Sequence, residues 1–245
     1  MRTAIRPAPA RPLTAPVEDC LKAVYELERV GEAAATTALA SRLGLPPASV
    51  TGMVRRLARQ GLLTHRRYRG VRLTGPGRRA ALRTIRRHRV IETYLVQALG
   101  YRWDEVDAEA ERLEHAASDA VVDRMAEALG DPTVDPHGAP IPSRKGAVDE
   151  VRYRTLADLP AGEAAIVLRV SDDDASLLRY LDDLAIRPGG AVRVVDRAPF
   201  GGPITLEVSG GGAARVVGPA LAERVVVRPR LARARRAKGR GGQPT

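Results

Sequence analysis

The sequence predicts an α+β chain of several parts: an N-terminal winged helix-turn-helix, a helical middle and a small C-terminal β-barrel. Three observations predict it. Between Ala33 and Ile91 there is no Asp or Glu, yet Arg42, Arg55, Arg56, Arg59, Arg66, Arg67, Arg69, Arg72, Arg78, Arg79, Arg83, Arg86, Arg87 and Arg89 all fall there. From Asp104 to Glu127 the sign reverses, with nine acidic residues against Arg112 and Arg124. After a Pro- and Gly-rich stretch from Gly130 to about Val148, helical spacing gives way to short β-branched runs separated by glycines.

A chain of 245 residues allows one large or two small domains, and at 44% apolar it can bury a core. The net charge is +11, and its placement carries more than its size. A basic block followed by an acidic one predicts a polyanion-binding surface beside a cation-binding one. Cys20 is the only cysteine, which excludes an internal disulfide and fits a reducing compartment. It is expected to pack rather than react, since no activating partner is identifiable. No apolar run reaches the ~18 residues of a spanning helix, and the N-terminus lacks a secretory apolar core. The expected location is the cytoplasm, with no membrane partner.

In order, residues 1–15 form a basic, Pro-rich arm, expected to be flexible. Leu21, Val24, Tyr25 and Leu27 predict a helix over 17–29, stopped by Gly31. Thr36 or Thr37 is placed to cap a short second helix that ends near Leu43-Gly44. Pro46-Pro47 opens a third and Gly61 closes it. In that third helix Val50, Met53, Val54 and Leu57 pack, leaving Ser49, Thr51, Gly52, Arg55, Arg56 and Arg59 outward. Two helices about a tight turn, the second basic on its open face, predict a helix-turn-helix. The runs 62–66 and 71–74 predict two strands, with Arg67-Tyr68-Arg69-Gly70 as the turn of an Arg-rich wing.

Thr74-Gly75-Pro76-Gly77 is expected to break the chain before a long helix over 78–99, and Gly100 ends that helix. A second, acidic helix is expected over 103–129. The segments 165–170, 191–195, 204–208, 214–217 and 224–227 predict five strands, and 176–184 a short helix. Five short strands suggest a small barrel. From Pro229 the chain is again basic, and disorder is expected.

On the acidic helix, spacings of three and four bring Glu111, Glu114 and His115 to one side. Two carboxylates and an imidazole there suit a divalent metal. The competing reading is a solvated acidic face. His88 and Glu92, four apart on the long helix, are also placed to meet one ion.

The order of these parts resembles the diphtheria-toxin-repressor family of iron- and manganese-dependent transcriptional regulators, over about residues 17–229. The resemblance rests on Tyr25-Glu26-Leu27, Ser49-Val50-Thr51 through Gly61-Leu62, Leu73-Thr74, Arg87-His88-Arg89, Glu114-His115-Ala116-Ala117-Ser118 and the Pro136-His137-Gly138-Ala139-Pro140-Ile141-Pro142 run. It implies a basic arm at 1–15, a DNA-binding domain at 16–75, and a helical metal-binding and dimerisation domain at 76–130. A linker at 131–151, an SH3-like (FeoA-like) barrel at 152–228 and a tail at 229–245 complete the expected plan.

By the same resemblance, a primary metal site draws on Asp19, Glu111, Glu114 and His115. Iron-sensing members carry Met and Cys at the positions of Asp19 and Glu111, whereas manganese-sensing members carry acids at both. A site without soft sulfur suits Mn(II) or Fe(II), while Zn(II), Co(II) or Cd(II) is expected to substitute in vitro. A second site is implied at His88 and Glu92, with Asp107 replacing a family histidine and Asp174 the nearest match to a ligand from the barrel. A small relative uses Glu at the position of Lys22 to bind a close metal pair; Lys22 cannot, so two separated sites are expected. His137, in the linker motif, is expected to be structural.

For DNA, the resemblance implies that Ser49, Thr51, Gly52, Arg55, Arg56 and Arg59 face the major groove. Arg66, Arg67, Arg69 and Arg72 contact phosphate or minor groove from the wing. Gly52 stands where relatives often carry a base-reading side chain, which shifts weight to phosphate contacts and DNA shape. The implied function is a non-enzymatic, homodimeric, manganese-activated repressor of metal-uptake genes, bound to palindromic operator DNA. Rival readings are an iron-activated regulator, a metal-independent winged-helix regulator, a DNA compactor and a metallohydrolase. The last finds no H-E-x-x-H motif.

Overall fold

The computed structural model describes residues 13–31, 34–66, 70–148, 151, 153–171, 174–210 and 212–230. Most of the arm at 1–15, the tail from residue 231, and Arg67 and Arg69 of the wing lie outside them. The chain divides into two compact units, Met1–Val151 and Arg152–Thr245.

The first unit begins with α1 (Ala15–Val30), which has a proline in its first turn and ends at Gly31 with φ +80°. Helix α2 (Thr36–Leu43) is entered from Ala35 without a side-chain cap, so neither Thr36 nor Thr37 plays the capping part expected of it. Helix α3 (Pro47–Arg59) starts on its proline. Strands β1 (Leu63–Arg66) and β2 (Gly70–Leu73) pair antiparallel, Leu63 opposite Leu73 and Arg66 opposite Gly70. Cys20, Leu21, Leu39, Val50, Val54, Leu57, Leu63 and Val71 share one buried core. This is the expected winged helix, and Cys20 packs inside it.

Helix α4 (Gly75–Leu99) starts earlier than expected. The Thr74-Gly75-Pro76-Gly77 run initiates the helix instead of breaking the chain. Thr74 Oγ1 accepts from Gly77 N at 3.2 Å, and Pro76 needs no donor in a first turn. Gly77 is required by space: a Cβ there would lie 1.9 Å from the Leu62 carbonyl oxygen. Gly77→Ala is therefore expected to cost about 1–3 kcal/mol by overpacking. Thermal melting should show it as a fall of about 3–10 °C.

Helix α4 joins two cores. Its first half contributes Ala81, Leu82 and Ile85 to the winged-helix core. Its second half packs Val90, Ile91 and Leu95 with Val106, Ala110, Val122, Ala126 and Ile141. His88 and Glu92 sit at the junction. The acidic stretch is not one helix but two, α5 (Val106–Glu114) and α6 (Asp119–Ala128). Ser118 causes the break: its backbone is extended, and its hydroxyl caps α6 by accepting from Val121 N at 3.3 Å. Helix α5 ends at Glu114, with His115 as its C-cap.

In the second unit, β3 (Arg154–Thr155) and a 3-10 turn precede β4 (Ala164–Val170) and α7 (Ala175–Asp183). Then come β5 (Ala191–Arg197), β6 (Ile204–Val208), β7 (Arg215–Val217), α8 (Pro219–Ala222) and β8 (Val225–Pro229). The five expected strands are present, and β3 is a sixth. The closed SH3-like barrel is not. The sheet is open, in the order β3-β8-β4-β5-β6-β7, and its outer strands β3 and β7 do not pair among the described residues. Those edges are two and three residues long, too short to close a ring of strands. Alternation specifies which residues face inward, not whether the first and last strands meet.

Candidate metal centre and nucleic-acid interface

Asp19, Glu111, Glu114 and His115 each present a ligand atom, all within 4.8 Å of one another. Asp19 comes from α1. Glu111 and Glu114 come from the last turn of α5 and His115 from its C-cap, where the helix dipole is negative and favours a cation. Glu114 is fully buried, whereas the Glu111 side chain is 47% exposed and leaves an approach from solvent.

The hydrogen bonds fix the imidazoles for coordination. His115 Nδ1 lies 2.7 Å from Glu18 Oε2, so that nitrogen carries a proton and Nε2 faces Asp19 Oδ1 at 2.8 Å and Glu114 Oε1 at 3.5 Å. Asp19 Oδ1 and His115 Nε2 are buried and lack hydrogen-bond geometry. Without a proton on Nε2 two lone pairs face each other there, and a divalent ion would answer both, so the donors fit a metal ion. Burial alone would lower the His115 pKa. The bond to Glu18 and the charges of Asp19 and Glu114 outweigh burial and hold it above the ordinary value. Burial raises the Asp19 pKa, only partly offset by His115.

His88 repeats the device. Its Nδ1 lies 2.6 Å from Glu114 Oε2, leaving Nε2 at 3.4 Å from both Glu92 Oε1 and Asp107 Oδ1. Burial works against a charged His88, but the facing carboxylates of Asp107, Glu114 and Glu92 hold its pKa well above the usual range. His88, Glu92 and Asp107 are the second cluster, as expected.

A third cluster, Glu92, Asp135 and His137, was not expected. His137, expected to be structural, is fully buried and stacks on Trp103. Its Nε2 donates to the Trp103 carbonyl at 2.7 Å, which turns Nδ1 toward Glu92 Oε1 at 3.7 Å. Both Glu92 carboxylate oxygens and His137 Nδ1 are buried without hydrogen-bond partners among the described residues. The Asp-x-His spacing was the available signal: Asp135 Oδ1 accepts from His137 N and Ala139 N, folding the linker so that both side chains reach α4.

Glu18, which orients His115, was missed, and Lys22, expected only to be unable to bind metal, lies among the ligands. Glu18→Gln keeps the shape and removes the charge, and is expected to weaken Mn(II) binding about tenfold, the lower end of outer-shell effects. Calorimetric titration measures it. Asp174 belongs to the C-terminal unit, where its Oδ1 caps α7 by accepting from Ser176 N at 2.8 Å and Leu177 N at 3.3 Å. It is in no metal-compatible cluster among the described residues.

On α3, Ser49, Gly52, Arg55, Arg56 and Arg59 are exposed, as is Arg72 on β2. Thr51 is half-buried and its hydroxyl donates to the Pro47 carbonyl at 2.8 Å, which reduces its freedom to read a base. Arg66 lies on β1. The fourteen arginines do not form one surface. Arg42 pairs with Glu26, Arg83 with Asp119, Arg86 with Asp123, Arg87 with Glu18 and Arg89 with Asp135. Arg83, Arg86, Arg87 and Arg89 of α4 are thus engaged with acids of the same unit, and the exposed basic face among the described residues is that of α3 with Arg72 of β2.

Family models match three consecutive stretches. They are the iron-dependent repressor N-terminal DNA-binding domain over residues 12–71, its metal binding and dimerisation domain over 74–143, and a FeoA domain over 154–229. The last is the counterpart of the open C-terminal sheet. The iron-dependent repressor IdeR of Mycobacterium tuberculosis is 34% identical over 202 residues, covering 78% of this chain and 87% of that protein. The chain belongs to the diphtheria-toxin-repressor family.

The diphtheria toxin repressor of Corynebacterium diphtheriae is 32% identical over 200 residues, covering 78% of this chain and 87% of that protein. Among solved structures, a manganese-dependent transcriptional repressor in complex with manganese superimposes with a TM-score of 0.80 at 40% identity. It covers 86% of this chain and 98% of that one. ScaR with bound Zn2+ gives 0.73 at 32%, with coverage of 86% and 98%. This repressor-family chain is thus a metal-dependent, DNA-binding transcriptional regulator and not an enzyme, which sets the metallohydrolase aside. No described helix is long and apolar enough to cross a membrane.

Proposed function

We propose that this protein is a manganese-activated repressor of metal-uptake genes that binds palindromic operator DNA as a homodimer. One observation carries the choice of metal: the four clustered donors Asp19, Glu111, Glu114 and His115 are all oxygen or nitrogen, with no thiolate or thioether. Such a set prefers the harder Mn(II) and Fe(II). Similar solved structures include manganese-dependent transcriptional repressors and the manganese regulator SloR, which supports the same reading. Zn(II), Co(II) and Cd(II) are expected to substitute in vitro, as ScaR structures bound to Zn2+ and Cd2+ suggest. The iron-activated alternative is favoured by the naming of the curated relatives as iron-dependent.

The proposed division is a DNA-binding module at 16–75, a metal-binding and dimerisation region at 76–130, a linker at 131–151 and a C-terminal domain at 152–228. Asp19 ties α1, and with it the winged helix, to the end of α5. A bound ion would be held by Asp19 together with Glu111, Glu114 and His115 and would supply charge neutralisation there. Leu73 N donates to Glu28 Oε1 at 3.0 Å, so α1 carries the wing with it. Restraining α1 against α5 restrains the recognition helix α3, and two such helices in a dimer reach half-sites about one DNA turn apart. Leu99, Tyr101, Leu113 and Val121 are exposed apolar side chains of this unit, available for contact with a second copy. Glu92 is common to the second and third clusters, which makes it the anchor of a single second seat. Ser49, Thr51, Gly52, Arg55, Arg56 and Arg59, with wing residues Arg66, Arg67, Arg69 and Arg72, contact the operator.

Fluorescence anisotropy on a library-selected DNA site, titrated with Mn(II), Fe(II) and Zn(II) against a chelated control, tests this reading. Operator binding that appears only with Mn(II) at cell-like free levels is expected. Equal affinity in chelator would return the clusters to packed acidic faces, and activation by Fe(II) alone would select the iron reading.

A further inference from the structure

Lys22 stands on α1 one turn beyond Glu18 and Asp19, and its side chain is only 15% exposed. Its ammonium donates to Glu111 Oε2 at 2.8 Å and to Glu114 Oε1 and Oε2 at 3.2 and 3.1 Å. It also lies 3.3 Å from His88 Nδ1. The His88 contact is not a hydrogen bond, because that nitrogen's proton is committed to Glu114 at 2.6 Å. The ammonium therefore touches two ligands of the primary seat and one of the second, and stands between the two seats.

A fixed positive charge at that point has two consequences. Without metal, Glu111 and Glu114 have a cation to share, and the fully buried Glu114 carboxylate is not left uncompensated. The same contact joins α1 to α5, the two elements that Asp19 and the α5 ligands join when an ion is held. An ion in the primary seat would compete with the ammonium for the Glu111 and Glu114 carboxylates, and the two cations would repel each other at close range. We propose that Lys22 is a tethered cation that holds the metal-free arrangement together and raises the divalent-metal concentration at which the primary seat fills. This deepens the reading of Asp19, Glu111, Glu114 and His115 as that seat and rests on it.

Calorimetric titration of the full chain with Mn(II) alone, with thermal melting in chelator, tests the proposal on wild type, Lys22→Met, Lys22→Gln and Lys22→Arg. The two neutral variants are expected to bind Mn(II) at least about tenfold more tightly and to melt lower in chelator, while Lys22→Arg stays within about threefold of wild type. Should Lys22→Met not fold, Lys22→Gln carries the same prediction with a polar end. Unchanged or weaker Mn(II) affinity in the neutral variants overturns the competitor role, and an unchanged metal-free melt overturns the holding role. A wild type that takes up no Mn(II) overturns the seat itself, which separates that failure from a failure of Lys22 alone.

Discussion

Asp19→Ala is expected to abolish the manganese response of operator binding and to leave the fold intact. Asp19 is the only ligand that α1 contributes to the primary cluster. Without it Glu111, Glu114 and His115 still hold an ion more weakly, but nothing ties that ion to the DNA-binding module. Coupling between an effector and a second site is typically about 1–3 kcal/mol, a factor of roughly 5–150. The gain in operator affinity on adding Mn(II) should lie in that range for wild type and fall to near onefold in the variant. The fold should survive, because burial raises the Asp19 pKa and its charge is a poor source of metal-free stability. Anisotropy with and without chelator, beside a thermal melt, decides the matter. An undiminished metal response in Asp19→Ala would sink the bridging model.

Glu114→Ala should do more damage, and of a different kind. Burial would raise the Glu114 pKa, but the hydrogen bond to His88 and the charge of Lys22 outweigh it and hold the carboxyl below its usual range. Removing that carboxylate leaves a nearly buried ammonium with the half-exposed Glu111 as its remaining close acidic partner. Breaking a buried pair in this way costs about 3–5 kcal/mol. In a unit of this size that is a fall of about 10 °C or more in the metal-free melting temperature. Both seats suffer, since Glu114 Oε1 faces His115 and Oε2 orients His88. Calorimetry should thus show both Mn(II) sites weakened, whereas Asp19→Ala weakens only the primary one. A variant with wild-type stability and one intact site would contradict this double role.

Much of this molecule is legible from local pattern. Apolar spacing in α1 and α3 and the glycines that end α1 and α2 placed the winged helix within a few residues. The i, i+3, i+4 spacing of Glu111, Glu114 and His115 and the i, i+4 spacing of His88 and Glu92 placed the donors. Local pattern failed where a short signal had two meanings. The Pro-Gly run before α4 reads equally as a break or as a helix start, and only the fit of Gly77 against Leu62 selects the start. Ser118 reads as one more helical residue until its extended backbone makes it a cap.

The amino-acid sequence by itself determined the order of the modules, the all-oxygen-and-nitrogen donor set and the basic face of α3, because each depends on residue type and short-range period. Tertiary structure alone decided the rest. Lys22 meets His88 across 66 positions of sequence and Glu18 meets His115 across 97, distances no periodicity spans. Arg86 and Arg87 of α4 turned to acids on α6 and α1 and Arg89 to Asp135 of the linker, His137 turned to Glu92, and the C-terminal sheet stayed open. Each of these depends on which surfaces meet once the helices and strands have packed. Burial then sets the stakes, since a charge removed from water must find its partner wherever the fold has brought one.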